Sequence, residues 1–539
     1  MSLPPEKVQK TFEDVDFLAG DLFGPADRYR LFREKVLPAL RAAREALAGL
    51  YCRDNGRPGI EPVLLAGVTL LQFMERAPDR KAAERVRTDL GWKLALDLEI
   101  GYRGFDPTCL HYFRERLLAG GRERAVLDAV LTALREAGLV KRRSPQRLDS
   151  THVVGLVAEM SRGEVVRQTI RLALEAVAGS GVSERPENWG VLWERYVEME
   201  IDWRRQTKEE LTAKFAQAGR DGLGLAAWLG EQPELRGHEK ALLLERVLRE
   251  QYEITAAGPH PRKAEVAGGV KNPHDPEAQW AAKDPAQETA WVGYKAQVME
   301  TVGETTEARR KGEPTEQFVT EITTTEAIAS DFDGMDRALG AQAQQGQEAP
   351  PALYVDAGYV SGETLAEAKT QGRELRGPAR PCPSREGGLE ADQFDVDVAA
   401  RRAVCPAGKT STQCSLIHDA HQQTAYYRFE WGAQCDDCRL RKSCTKSRSG
   451  RRTLCVGEHH DRVQARRREM KTDAFAQEMH RRNAIEGTIS ELVRLGLRRS
   501  RYRGLAKTRL ANYVLAAACN ARRWLRLLAW RIGPAGAMA

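Results

Sequence analysis

No apolar run in this chain approaches the length needed to cross a bilayer. The first residues, Met1-Ser2-Leu3-Pro4-Pro5-Glu6-Lys7, hold no hydrophobic signal core. These two absences predict a chain without a membrane part, working in the cytoplasm. Internal repeats and long low-complexity tracts are missing too, so a globular chain is expected. Ten cysteines are too few to be a disulfide framework for 539 residues in a reducing compartment. No second CxxC accompanies the one at Cys435-x2-Cys438.

What is present is unevenly spread. The formal net charge is only +7, yet residues 461–539 carry 18 Lys and Arg against 6 Asp and Glu. That segment holds +12, which leaves −5 for the rest. A concentrated, mostly arginine excess is the footprint of a polyanion partner, because guanidinium groups bind phosphate in two-pronged fashion. The bland alternative is a solvated basic helix face. Seven of the ten cysteines fall between Cys382 and Cys455, and that clustering favours a metal module over scattered core thiols.

Along the chain, residues 1–140 read as a helical N-terminal domain. Val63, Leu64, Gly67, Val68 and Leu71 recur at helical spacing after Pro62, a residue suited to a first turn. A second helix is expected over 80–90, with Ala83, Val86 and Leu90 inward. Asp106-Pro107 opens a third, with Leu110, Phe113 and Leu117 inward and Arg114 and Arg116 outward. Such helices either read DNA as a helix-turn-helix or form a plain bundle for dimerisation. A linker at 141–145 leads to a strand at 146–155. Residues 160–257 form an inserted helical subdomain, with Trp189, Trp193, Tyr196 and Trp203 as its core aromatics. A loop is expected over 258–287, then strands at 291–298, 318–325, 353–360 and 373–378, with helices at 331–345 and 362–369. This alternation predicts α/β with a mixed sheet, with 141–394 as the first part of a core completed by 461–539. A Cys-rich insertion follows at 395–460, with a strand at 424–429. The last part, 461–539, is read as one helix to about 495 and a final helix over 504–528.

Three carboxylates stand out. Asp356 follows the apolar stretch Leu353-Tyr354-Val355, where an ionised group must be paired or metal-bound. Asp149 lies in the strand Leu148-Asp149-Ser150-Thr151-His152-Val153, and Glu486 on a basic helix. Hard divalent cations prefer such oxygen ligands, and two of them about 4 Å apart serve in-line phosphoryl displacement. Cys435, Cys438 and Cys444 form a compact thiolate cluster suited to tetrahedral zinc. Cys405, Cys414 or Cys455 supplies the fourth ligand, and Cys405 is the working choice. His152 beside Ser150 does not make a hydrolase triad, since no sharp nucleophile turn is apparent. Lys295 on its strand either faces phosphate or is simply solvated.

The three carboxylate stretches, with Arg482-Asn483-Ala484-Ile485-Glu486 as the third, resemble the motif regions of insertion-sequence DDE transposases. Asp89-Leu90-Gly91-Trp92, Asp275-Pro276-Glu277-Ala278, Trp291-Val292-Gly293-Tyr294-Lys295 and the run 499–508 fit in the same order, so the likeness spans about 60–525. The resemblance implies an α/β ribonuclease-H-like mixed-sheet catalytic core. It implies Asp149, Asp356 and Glu486 as catalytic ligands of Mg2+ or Mn2+. The implied activity is cleavage at element ends and strand transfer into target DNA, by a homo-oligomer on double-stranded DNA. Arg481, Arg482, Arg494, Arg498, Arg499, Arg501 and Arg503 are then the DNA contacts, the last four on a loop between Gly496 and Gly504 free to lie along a backbone. Arg482, four residues before Glu486, fits a related group's Tyr, Arg, Glu, Lys signature, or forms a simple ion pair with it. Met479 and Val493 stand where that group has Tyr and Lys, which leaves a hairpin route open to doubt. Two rival readings are a metal-dependent nuclease without strand transfer and a non-catalytic DNA-binding zinc protein.

Overall fold

Six strands build the central sheet: β1 (Gln146–Val154), β2 (Gln279–Ala282), β3 (Ala290–Thr301), β4 (Val319–Glu326), β5 (Ala352–Tyr354) and β6 (Glu374–Arg376). The computed structural model describes all residues except 5–9, 53–55, 57, 201–205, 257, 284, 285, 287, 304–312, 315, 383–388, 420–423 and 534–539. β1 is central. It runs antiparallel to β3 and parallel to β5, and β5 is parallel to β6. β2 and β4 share the outer edge of β3, β2 taking its first residues. The sheet is therefore mixed, as expected. Gly293 in β3 passes so close to β1 that a Cβ there would lie 2.1 Å from the Val153 carbonyl oxygen.

Alternation along β1 sorts its side chains between two faces. Leu148 packs with Met299, Met335, Leu353 and Tyr359 under α1 (Asp331–Gln344). Val153 points the other way, into a large core that also contains the N-terminal helices, α2 (Asp473–Leu495) and α3 (Leu505–Ile532). The helices of residues 15–140 thus share one continuous core with the sheet. Asn520 of α3 both donates to and accepts from the Val319 backbone at 2.8 Å, so α3 satisfies the open edge of β4 that would otherwise invite another strand. The helical insertion has its own core, with Trp189, Trp193 and Tyr196 in or against it. Trp203 lies outside the described residues. The Cys-rich segment also has its own small core, around Phe394, Phe429 and Trp431.

Several local expectations change. The strand at 353 ends at Tyr354, because the Asp356 carboxylate accepts from Gly358 N at 2.7 Å and turns the chain. The helix expected over 461–495 is two helices, His460–Glu469 and Asp473–Leu495, since Thr472 caps a fresh N-terminus through Phe475 N. Arg114 is buried, not outward, because it pairs with Asp79 at 2.5 Å. Leu90 is exposed: Asp89 ends the second helix and caps a third, Leu90–Ala95. The loop expected over 258–287 contains β2 and one strand, Gly258–Pro261, of a hairpin with Tyr252–Thr255.

Candidate active site

Parallel register places the first two carboxylates side by side. Arg147 of β1 pairs with Tyr354 of β5, and two residues further along lie Asp149 and Asp356. Arg147, Asp149 and Thr151 share one face of β1, and α2 covers that face. The Arg147 side chain, fully buried, donates to the Arg481 carbonyl at 2.6 Å and to Glu300 at 2.5 Å. Glu300 in turn accepts from Thr488 of α2 at 2.5 Å and from Arg523 of α3 at 3.1 Å. This buried network fixes α2 against β1 within one turn of Glu486. Ile485, Thr488, Ile489 and Leu492 bury the inner face of α2, which leaves Glu486 68% exposed at the rim.

All three carboxylates meet one cation. The Arg482 guanidinium stands 3.0 Å from Asp149, 3.6 Å from Glu486 and 4.0 Å from Asp356. Burial pushes the Asp149 carboxyl above its usual range, Arg482 and the Ser150 N–H oppose that, and the charges of Asp356 and Glu486 push it further up. Among the described residues, no three His, Cys, Asp or Glu side chains are arranged to hold a metal ion. The donor set nevertheless fits a hard divalent cation: three carboxylates, all oxygen, drawn to one positive group.

A fourth carboxylate escaped the sequence reading. Asp331, first residue of α1, lies across Gly358 from Asp356. A Cβ on Gly358 would be 2.9 Å from an oxygen of each, so a larger residue there would push one of the two carboxylates aside. Ser150 Oγ and Lys295 Nζ both lie 3.4 Å from Asp331. The signal was the order strand–strand–helix, which brings the start of α1 to the same sheet end; an acidic first turn in a sequence suggests only a helix cap. Lys295 is not solvated, since it also donates to the Ala329 carbonyl at 2.7 Å. A cavity of about 850 Å³ opens beside Asp149, Asp331 and Asp356, with Lys271, Lys283 and Trp280 on other walls. His152 lines it too. Burial, with the charges of Arg498 and Lys283, pushes its pKa down to about 4, so it is neutral at physiological pH.

The arginines expected to meet DNA divide into two sets. Arg481, Arg494, Arg498, Arg499 and Arg503 are exposed, whereas Arg501 lies over the Phe73 ring and Arg482 among the carboxylates. Their loop, bounded by helix ends at Leu495 and Leu505, is not free. Val154 N donates to Arg498 O and Ser500 N to Val154 O, which docks it on the end of β1. The four thiols of Cys405, Cys435, Cys438 and Cys444 surround a second, far smaller cavity of about 20 Å³. Cys414 and Cys455 do not line it. Gly408 N returns to Cys405 O and Cys438 N to Cys435 O, so two tight turns present thiols to the cavity. Burial and the neighbouring thiols push the Cys444 thiol up, while Arg452 opposes them.

Two family models match the chain. A transposase DDE domain matches residues 404–525, and a transposase domain of the DUF772 type matches residues 19–116. Both matches are to transposase domains and support an insertion-sequence DDE transposase. The DDE match takes in the thiol module, Arg482 and Glu486, while Asp149 and Asp356 lie outside both matched spans. No curated protein and no solved structure matches the chain. Among the described residues of this transposase, no helix is long and apolar enough to cross a membrane.

Proposed function

We propose that this transposase cuts DNA at the ends of its own element and joins those ends to target DNA, at a site made of Asp149, Asp356 and Glu486. The observation that carries this is the convergence of the three carboxylates, from β1, the turn after β5, and α2, on one guanidinium. Support for a ribonuclease-H-like core comes from the strand order: a central β1 with antiparallel β3 on one side and parallel β5 on the other. Asp149, Asp356 and Glu486 would hold Mg2+ or Mn2+, which when bound lowers the cost of activating an attacking oxygen and of charge on the leaving one. The chain's own groups supply the rest. The turn after β5, closed by Asp356 on Gly358 N, fixes one carboxylate at the cavity mouth. The Arg147–Glu300 network sets the helix that carries another. Arg481, Arg494, Arg498, Arg499 and Arg503 give the DNA backbone a basic track beside the carboxylates, a sequence-independent contact. The homo-oligomer implied by the family likeness would bring two element ends together.

The deciding experiment supplies DNA with the element's ends either intact or already cut. A transposase of this kind cleaves the first and joins the second to target DNA, and Asp356→Asn lowers both by on the order of 10³-fold while duplex binding persists. Cleavage without joining would make the protein a nuclease, and full activity of the variant would remove Asp356 from the site.

A separate observation, the four thiols around one small cavity, supports a structural zinc held by Cys405, Cys435, Cys438 and Cys444. All four donors are soft thiols, the set that closes a tetrahedral zinc site and leaves no position for a substrate. That role is architectural: it would hold together a segment with a core of only a few side chains.

A further inference from the structure

Among the described residues, no Lys or Arg other than Arg482 pairs with Asp149, Asp356 or Glu486. Arg482 is therefore the cation of this site in the DNA-free chain. Its two terminal nitrogens face the carboxylates, while its Nε is buried without a hydrogen-bond partner. A divalent cation drawn to the same oxygens competes with the guanidinium for their lone pairs and meets a like charge a few ångströms away. The Arg482 side chain is mostly buried, 19% exposed, and its ion pairs are all to these carboxylates. It stands on α2 next to the exposed Arg481. A phosphodiester beside the site offers two non-bridging oxygens, an acceptor pair that the planar guanidinium binds bidentately.

We infer that Arg482 makes divalent-cation binding wait for DNA: the guanidinium neutralises the carboxylates until a DNA phosphate draws it away, and only then do they bind metal at full strength. This rests on the reading of the three carboxylates as cation ligands. The consequence is reciprocal, since whatever factor DNA adds to metal affinity, metal must add to DNA affinity. It is also protective, because a site that loads metal only on DNA stays idle elsewhere.

The test needs no turnover. Mn2+ binding to the full chain is followed by the electron paramagnetic resonance signal of the free ion, at one fixed, mildly alkaline pH. Affinity for a duplex of arbitrary sequence is followed by fluorescence anisotropy with and without Mn2+, relative to the same change in salt alone. Without DNA, Arg482→Gln should bind Mn2+ about 10-fold more tightly than wild type, a typical coupling factor. Arg482→Lys, which keeps a cation, should stay near wild type. Mn2+ should raise duplex affinity about 10-fold for wild type and leave that of the Gln variant unchanged. Equal or weaker Mn2+ binding by Arg482→Gln, with its melting temperature kept, would overturn the inference, as would an undiminished Mn2+ effect on its duplex binding. The underlying reading fails differently. If Asp149→Asn with Asp356→Asn binds Mn2+ as wild type does, the carboxylates hold no cation at all.

Discussion

The two candidate cation sites of this transposase are built in opposite ways. The carboxylate site draws on positions 149, 356 and 486, and its members are placed by the main sheet, by a buried ion network and by the capped turn after β5. It carries its own counter-charge in Arg482. The thiol site draws on neighbours between Cys405 and Cys444, placed by tight turns in a segment with a small core. Arginines lie near it, yet burial and thiol crowding still push Cys444 up. A site assembled by a large core stands without its ligand. A site assembled by turns around a few thiols depends on a ligand to hold the turns together.

Zinc removal is the strongest way to break that contrast. Purified protein should contain about one zinc per chain, and stripping it should unfold the Cys-rich segment while the sheet stays folded, because structural zinc contributes on the order of 10 kcal/mol in small modules. Elemental analysis with limited proteolysis checks both halves. A metal-free protein whose segment resists protease would reject the zinc. Next in size is the network under the carboxylates. Glu300→Gln removes the buried charge that faces Arg147 and Arg523, of which only Arg523 keeps another carboxylate, Glu491, and should cost about 3 kcal/mol in denaturant melts. A much smaller loss would mean that packing alone holds α2 on β1.

How far the sequence could be read follows the same division. The mixed sheet, the breaks at Gly496 and Gly504 and the ends of most central elements were legible, because periodicity and caps are local. The convergence of Asp149, Asp356 and Glu486 came from family likeness, since nothing in their spacing brings three strand and helix ends together. What stayed hidden depends on tertiary contact. Arg114 reads as an outward helix residue until Asp79 is seen opposite it. Asp331 reads only as the start of a helix until Gly358 is seen to leave room for it beside Asp356. Arg482 reads as an i,i+4 partner of Glu486, but its nearest carboxylate is Asp149, from a distant strand. The docking of the arginine loop on Val154 was equally invisible, because one backbone bridge leaves no pattern in the sequence.

That docking sharpens what the loop arginines do. Their backbone is held, so Arg498 and Arg499 present exposed charge from a fixed platform. Replacing both with Ala should weaken specific and random duplexes by similar factors. It should flatten the plot of log affinity against log salt by up to about 2 units, at roughly 0.9 for each phosphate no longer neutralised. An unchanged slope with a lower melting temperature would make them structural. Weaker binding to element ends alone would mean that they read bases.

The smallest expected effect probes the cost of keeping a carboxylate in the core-built site. Folding raises the Asp149 pKa, chiefly through burial, so the folded chain holds that proton more tightly than the unfolded one. The stability this contributes is fully present below the unfolded value of about 3.9 and is lost as pH rises through the folded value. Above that folded value the ionised carboxylate is a net cost even with Arg482 beside it. Asp149→Asn keeps the shape, keeps an oxygen for Arg482 and removes the charge. The variant should therefore melt slightly above wild type at neutral pH, by about 1–2 °C for a chain of this size, with the gap closing as pH falls toward 4. Calorimetry across that range checks it. A variant that melts lower at neutral pH would mean that the Asp149–Arg482 pair outweighs burial, so the counter-ion would stabilise the fold as well as neutralise the site. In that case Arg482 would also be harder for DNA to draw away, and the coupling between DNA and metal would shrink accordingly.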